Sequence, residues 1–138
     1  MNFNLAVILT ETAALSPGKA AALYDGDQMS YRELDELSDR LAVALERAGI
    51  TPGDPVALQL PNIPQFLIAY FGILKAGAVV VPLNPLLKAP EMAFHLGDSR
   101  AKMLITWEGV LGDAAKGAEA AGLSEIYAVG HAEDAPGA

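Results

Sequence analysis

Four short apolar runs recur along the second half of the chain, and they begin at Val56, Val79, Met103 and Ile126. The starting points are 23, 24 and 23 residues apart, and each interval contains one helical pattern. The predicted helices cover residues 64–75, 90–98 and 110–121. Continuous apolar strands that alternate with helices are typical of a parallel sheet covered on both faces. The pattern therefore predicts an α/β fold with a doubly wound, mainly parallel sheet.

A helix and a β-hairpin are predicted before the first of these strands. Five residues of the segment 5–15 fall on one helical face, and Ser16-Pro17-Gly18 ends the helix. The residues of this face are Leu5, Ile8, Leu9, Thr12 and Leu15. Asp25-Gly26-Asp27 then separates two extended segments, 20–24 and 28–30, which is a strong hairpin signal.

A capping box is predicted at Ser30. The Ser30 side chain accepts a hydrogen bond from the Glu33 amide, and the Glu33 side chain accepts one from the Ser30 amide. The helix that follows has a buried stripe and a charged opposite face, and Gly49 ends it. The stripe consists of Leu34, Leu37, Leu41 and Leu45, and the charged face of Arg32, Glu36, Arg40 and Arg47. We interpret these charges as a solvated surface.

The helix at 64–75 carries recognisable end signals. Asn62 is the expected N-cap, Pro64 lies in the first turn, Lys75 suits the negative end of the helix dipole, and Gly77 supplies a left-handed stop. A membrane span over 64–83 is the alternative, but a charged lysine, two glycines and a β-branched run that ends in proline oppose it.

The same helix is apolar nearly all round, which is typical of a helix enclosed by other protein. Phe66, Ala69, Tyr70, Ile73 and Leu74 make one face of it. Leu67, Ile68 and Phe71 lie largely outside that face. We expect these three side chains to be exposed in the isolated chain, and this predicts self-association, most simply as a homodimer.

Composition excludes several classes of partner and site. The net charge of −8 argues against nucleic acid and against anionic membrane surfaces. The absence of cysteine excludes disulfides and thiolate metal sites, and it favours the cytoplasm as the location. The first residues lack the pattern of a signal peptide. We expect residues 1–138 to form one folding unit, with a tail or a cut end at about 130–138.

No catalytic constellation is present in the sequence. Neither of the common glycine-rich phosphate-loop motifs occurs, and the glycines of 109–117 are spread through a weak helix. His95 and His131 lack a second ligand at metal spacing. No serine stands in a nucleophile elbow, and the acid pairs lie in turns or helix starts. The predicted set of catalytic, cofactor-binding and metal-binding residues is therefore empty.

Two segments nevertheless resemble the first two sequence blocks of the adenylate-forming (AMP-binding) ligase superfamily. Met29-Ser30-Tyr31-Arg32-Glu33-Leu34 resembles the first block, and residues 72–85, Gly-Ile-Leu-Lys-Ala-Gly-Ala-Val-Val-Val-Pro-Leu-Asn-Pro, resemble the second. The likeness extends over about residues 3–108. Leu83-Asn84-Pro85 is more similar to acyl-CoA synthetases than to peptide-synthetase adenylation domains. The chain is most similar to a bacterial long-chain fatty-acid–CoA ligase, and the likeness implies the N-terminal domain of that fold.

The resemblance implies a parent enzyme that uses ATP, Mg²⁺ and coenzyme A to convert a fatty acid into acyl-CoA through an acyl-adenylate. The family's phosphate loop, its ribose-binding acid and its catalytic lysine have no counterpart here, and family members are several times longer. We therefore expect an N-terminal scaffold piece that is inactive alone, holds no cofactor, and has the remainder of the parent enzyme as its partner. The alternative is a free-standing, non-catalytic α/β interaction module.

Overall fold

The computed structural model describes residues 4–24 and 26–130. It contains five α-helices and six strands within these ranges. In chain order they are α1 Ala6–Leu15, β1 Ala20–Tyr24, β2 Asp27–Ser30, α2 Tyr31–Arg47, β3 Pro55–Gln59, α3 Pro64–Lys75, β4 Val79–Pro82, α4 Ala89–Ser99, β5 Met103–Trp107, α5 Leu111–Ala120 and β6 Ile126–Val129. A 3₁₀ turn, Glu108–Val110, precedes α5.

The strands form two sheets. β1 and β2 pair as an antiparallel hairpin, whereas the other four strands form one sheet in the order β4-β3-β5-β6. The pairs β3–β5 and β5–β6 are parallel. All four strands begin within one residue of the predicted positions, and the predicted α/β class with a parallel sheet is confirmed.

Packing divides the chain into two compact units, Met1–Asp54 with Asn62–Val80 and Pro55–Pro61 with Val81–Ala138. The sequence has no linker-like segment at the points where the chain passes from one unit to the other. Because cooperativity of unfolding is a separate property, the single folding unit over 1–138 stays a prediction.

The core of the first unit lies among α1, the hairpin, α2 and α3. Leu9, Met29 and Leu34 are buried at its centre. Leu37 of α2 and Leu67, Ile68 and Phe71 of α3 pack against them, together with Ala21, Ala22 and Tyr31. The prediction that three side chains of α3 are left exposed is therefore wrong, because α1 and the hairpin already supply the covering layer. The predicted homodimer loses the argument on which it rested.

Helix α1 buries only Leu9 of the five residues that the sequence places on one helical face. Ala6, Leu9 and Ala13 are buried, while Leu5 and Ile8 are about half exposed and Leu15 is exposed. Apolar residues occur on every side of this helix, so the sequence pattern does not specify which side is buried. In the structure the buried side carries two alanines. The short alanine side chains allow the neighbouring elements to approach closely.

The ends of α2 and α3 follow local rules. The capping box at Ser30 is confirmed, with the Glu33 amide 3.1 Å from the Ser30 hydroxyl and the Ser30 amide 3.2 Å from the Glu33 carboxylate. The predicted cap at Asn62 is wrong, because the N-cap of α3 is Ile63. Pro64 at the first helical position forces the residue before it into an extended conformation, which leaves Asn62 outside the helix. Gly77 has the predicted positive φ, at 76°.

Lys75, near the end of α3, joins α3 to α2. Its ammonium donates to the Asp35 carboxylate at 2.6 Å, the Asp39 carboxylate at 2.7 Å and the Asp35 carbonyl at 3.0 Å. Asp35 and Asp39 are one turn apart, so both reach the same lysine. The interaction uses all three ammonium donors, and the Lys75 side chain is only 11% exposed.

The second unit places α4 and α5 against the sheet. Its buried core contains Ala57, Leu83, Met92, Leu96, Leu104, Ala114 and Ala118. Gly117 lies against the Met92 side chain and the backbone of α4, so a Cβ at this position would overlap them. The glycine that weakens the helix in sequence terms is therefore required for the close contact of α4 with α5. Among the described residues, no helix is both long enough and apolar enough to cross a membrane.

Candidate functional site

Two polar side chains are buried side by side near the carboxyl ends of parallel strands in the second unit. Gln59 ends β3, Thr106 is its register partner in β5, and both are 0% exposed. The Thr106 hydroxyl donates to the Gln59 side-chain oxygen at 2.8 Å. Burial of a carboxamide is costly unless its polar atoms are paired, and this bond pairs the side-chain oxygen of Gln59.

The other end of the Gln59 carboxamide holds the chain that follows β4. Its Nε2 donates to the backbone carbonyl of Asn84 at 3.2 Å and lies 3.2 Å from the Met92 sulfur. Asn84 begins a turn, because its carbonyl accepts from the Leu87 amide at 3.2 Å and its side chain accepts from the Leu86 amide at 2.8 Å. Asparagine followed by proline is a favoured start for such a turn.

A cleft opens between this turn and the segment after β5. It is lined by Pro85, Leu86, Leu87, Lys88, Gly109, Val110, Gly112 and Asp113. Both walls follow the carboxyl ends of strands, and ligands of open α/β sheets bind outside such ends. Leu86 is 80% exposed although its amide is held in the turn. The cleft is therefore the candidate functional site.

The N-terminus of α4 borders the cleft, but its first amides already have partners. Asp113 accepts from the Ala89 amide at 3.1 Å, and Glu91 accepts from the Lys88 amide at 3.2 Å. Lys88 occupies the N-cap position and has no acceptor in its side chain, so the carboxylates of other residues cap this helix. The amides of Lys88 and Ala89 are therefore not available to a phosphate group, and Pro90 has no amide hydrogen.

The cleft residues can support binding by apolar and hydrogen-bonding contacts. Among the residues that the structure describes, no group of three histidine, cysteine, aspartate or glutamate side chains is placed to hold a metal ion. Lys88 is the one cation in the cleft lining, beside the acidic Asp113. These groups do not fit ATP with magnesium, which needs several anion donors and metal-binding oxygens. The empty set of catalytic, cofactor-binding and metal-binding residues stays a prediction.

The residues considered for chemistry in the sequence have structural surroundings. His95 is exposed on α4, with its ring 5.4 Å from that of Phe94. Gly109 lies beneath the Trp107 ring, which leaves no room for a side chain there. Asp35 is one of the two aspartates that accept hydrogen bonds from Lys75. Asp25 and His131 lie outside the described residues.

One titratable group at the edge strand β6 has a perturbed pKa. The Tyr127 hydroxyl donates a hydrogen bond to the Glu125 carboxylate at 3.1 Å. This bond, followed by the negative charge of Glu125, raises the pKa of Tyr127 above its ordinary value of 10. Tyr127 is exposed, and it stays protonated at neutral pH.

The sequence reasoning missed Gln59, Thr106 and Asn84. A signal was present, because Gln59 interrupts the apolar run from Val56 to Leu60 and Thr106 follows Met103-Leu104-Ile105. A polar residue inside a fully buried strand requires a partner. The partners lie 47 and 25 positions away in the chain, so the sequence alone does not identify them.

Comparison with known proteins relates this chain to AMP-binding enzymes, both by a family model and by individual relatives. A model of the AMP-binding enzyme family matches residues 9–136. A long-chain-fatty-acid–CoA ligase of Bacillus subtilis is 38% identical over 105 residues, which are 76% of this chain and 19% of that protein. A salicyl-AMP ligase/salicyl-S-ArCP synthetase of Mycobacterium tuberculosis is 42% identical over 106 residues, 73% of this chain and 19% of that protein. The chain thus spans about one fifth of the length of these relatives.

The fold is also similar to that of solved structures. The anthranilate CoA ligase AuaEII, solved in complex with anthranoyl-AMP, superposes with a TM-score of 0.87 and 27% identity. The superposition covers 92% of this chain and 25% of that one.

Proposed function

Because the chain belongs to the family of AMP-binding enzymes, we propose that it is the N-terminal scaffold piece of an ATP-dependent acyl-CoA ligase. The parent reaction joins a fatty acid to coenzyme A, with release of AMP and pyrophosphate from ATP. The observation that carries the proposal is a family match over residues 9–136 in a chain whose matched part covers about one fifth of its relatives' length. The absence of a phosphate-binding motif in the sequence supports a scaffold role for this part.

The fatty acid is the finer part of the proposal. The relatives include ligases named for long-chain fatty acids, salicylate and anthranilate. Leu83-Asn84-Pro85, with its similarity to acyl-CoA synthetases, supports a coenzyme A ligase. The similarity to the Bacillus subtilis enzyme supports a fatty acid as the substrate.

The parent enzyme is proposed to use ATP, Mg²⁺ and coenzyme A, bound by segments outside residues 1–138. ATP activates the carboxylate by making one of its oxygens part of a phosphate leaving group. The described residues contribute rigidity, because Lys75 links two helices and Gln59 links two strands to the turn at Asn84. The isolated chain is expected to be inactive and to bind no ATP.

The location and the assembly of the protein belong to the same proposal. A cytoplasmic location is supported by the absence of cysteine. The remainder of the ligase is the proposed partner. A homodimer is supported by the apolar side chains at the start of α1, since Leu5, which precedes the helix, and Val7 and Ile8 inside it are about half exposed. Light scattering of the wild-type chain and of Ile8→Lys tests it: a dimer that the substitution dissociates supports this contact, and a monomeric wild type contradicts it.

A free-standing interaction module is the alternative function. The observation in its favour is that α3 is covered by the first unit itself and needs no later chain to bury it. A reading frame that stops after Ala138 would favour this alternative. A frame that continues into a serine- and glycine-rich phosphate loop would exclude it.

The decisive experiment expresses the complete reading frame and measures pyrophosphate exchange with ATP. Palmitate, salicylate and anthranilate are compared as acids, with the 138-residue chain as the matched control. Exchange that depends on palmitate, followed by thioester formation with coenzyme A, supports the proposal. Exchange with an aromatic acid alone contradicts the fatty-acid assignment, and exchange by the 138-residue chain contradicts the scaffold role.

A further inference from the structure

We propose that Gln59 is a positioning residue whose buried carboxamide fixes the turn Asn84–Leu87 as one wall of the cleft. The turn has two hydrogen bonds of its own, from the Leu86 amide to the Asn84 side chain and from the Leu87 amide to the Asn84 carbonyl. Both are local, so they define the shape of the turn but not its place against the sheet. The Leu83 amide, just before the turn, donates to the Leu58 carbonyl of β3 at 2.9 Å, and Leu87 packs against the core of the second unit. The bond from Gln59 adds a direct connection between Asn84 of the turn and the end of β3.

The bonding at Asn84 supports this role. Its carbonyl oxygen accepts from both the Leu87 amide and Gln59 Nε2, each at 3.2 Å, and so uses both of its lone pairs. Its side-chain oxygen accepts from the Leu86 amide. The result is a turn held from three directions while Leu86 remains 80% exposed. A fixed turn that holds a large apolar side chain in solvent is suited to contact a ligand or another segment.

Stability alone does not account for an amide at this position. Val56, Ala57, Leu58 and Leu60 surround Gln59 in sequence, and all four are buried. An apolar side chain of similar size would suit this strand, since buried polar groups gain little over well-packed apolar ones. An apolar side chain cannot donate to the Asn84 carbonyl. The benefit of the carboxamide is therefore the geometry of the turn.

The two ends of the carboxamide can be tested separately. Thr106→Val removes the hydroxyl bound to Gln59 Oε1 but leaves the Nε2 donor to Asn84. Gln59→Met keeps an unbranched side chain of similar volume and removes the donor. Thr106→Val loses the bond to Oε1, and Gln59→Met loses both this bond and the one to Asn84, so both variants are expected to lose stability and the difference between them isolates the Nε2 donor. Only the second is expected to release the turn, which makes Thr106→Val the matched control.

Amide hydrogen exchange in the 138-residue chain measures this difference. The probes are the Leu86 and Leu87 amides of the turn, and the reference is the Leu104 amide, which donates within the sheet to the Glu125 carbonyl. In Gln59→Met we expect the turn amides to exchange about tenfold faster relative to Leu104. In Thr106→Val we expect this ratio to be unchanged. Equal acceleration of all three amides in both variants would overturn the inference.

Gln59→Glu adds a pH profile that a purely structural role would not produce. A protonated glutamic acid can still donate to the Asn84 carbonyl, whereas the carboxylate cannot, and burial raises the pKa of the introduced carboxyl group. Protection of the turn relative to Leu104 should match wild type at low pH and fall as the group ionises. A flat ratio across pH contradicts the inference.

The consequence for catalysis rests on the proposed function and is measured in the full-length ligase. Gln59→Met should raise the KM for at least one substrate with kcat retained, because the wall of a binding cleft is displaced. Thr106→Val, which keeps the Nε2 donor to Asn84, should raise the KM less than Gln59→Met does. Unchanged KM values in an active ligase overturn the inference. If the complete protein has no ligase activity, the proposed function fails, and the exchange ratios alone decide the role of Gln59.

Discussion

Asp113 of α5 accepts a hydrogen bond from the backbone amide of Ala89, the first residue of α4, at 3.1 Å. The N-cap residue of α4 is Lys88, whose side chain offers no acceptor. One helix therefore supplies the cap of another, 24 positions earlier in the chain. The same carboxylate lines the cleft, so the capping of α4 and the shape of the cleft depend on one side chain.

Replacement of this cap should destabilise the chain by a measurable amount. Asp113→Ala leaves the Ala89 amide without its acceptor and is expected to cost about 0.5–2 kcal/mol, as for other helix caps. Asp113→Asn keeps an oxygen acceptor and should cost less. Urea unfolding followed by circular dichroism measures the difference. Glu119→Ala, at an exposed position of the same helix, is the control, and an equal loss in that variant would contradict the cap.

The contact of Lys75 with two aspartates gives a second prediction. Lys75→Met removes three hydrogen bonds and leaves Asp35 partly buried without its cation, which should cost about 1–3 kcal/mol. Asp39→Asn should cost less than about 1 kcal/mol, because the Asp39 side chain is mostly exposed and the pair is screened by solvent.

A double-mutant cycle separates the two carboxylates. Lys75→Met is combined with Asp35→Asn and, separately, with Asp39→Asn, and the free energies of unfolding are compared. The coupling energy should be larger for the pair with Asp35 and should change less with added salt. Equal couplings for the two aspartates would show that partial burial of Asp35 does not strengthen its bond.

The extent of sequence prediction differs between local and distant interactions. The starts of the strands follow from the apolar runs at Val56, Val79, Met103 and Ile126, and the capping box at Ser30 follows from a four-residue pattern. The resemblance to the AMP-binding family is confirmed by the match over residues 9–136. For Lys75 the sequence predicts only an interaction with the helix dipole, because nothing nearby in sequence indicates partners 36 and 40 positions away.

The errors in predicted exposure have one physical cause. Both α1 and α3 are apolar on almost every side, so their patterns do not specify which face is buried. Gly72 and the alanines of α1 decide this through close packing, which depends on three-dimensional neighbours. The sequence does not predict the cleft for a related reason. The role of Gln59 depends on its contacts with Thr106 and Asn84, which are distant in the chain.

Arg100 is the one described residue other than glycine with a positive φ, at 57°. It follows the last residue of α4, where a left-handed conformation ends the helix and glycine is usual. Arg100→Gly should stabilise the chain by about 0.5–1 kcal/mol, because glycine reaches this conformation without strain. Arg100→Ala, which keeps the strain and removes the charge, should give no such gain in urea unfolding.

The contact between α2 and α3 gives the last prediction. A Cβ built on Gly72 lies 2.7 Å from Cδ2 and 2.9 Å from Cβ of Leu41, closer than carbon atoms pack. Gly72→Ala should therefore cost about 1–3 kcal/mol, although alanine is the better helix former.

Gly97 provides the control, because it lies inside α4 with open space around the corresponding position. Gly97→Ala should gain about 0.5–1 kcal/mol from helix propensity alone. In the double variant with Gly72→Ala, Leu41→Ala should restore only part of the lost stability. The Cβ of residue 41 would still lie 2.9 Å from the new Cβ. If both glycine variants gain stability, α2 and α3 do not approach as closely as this contact requires.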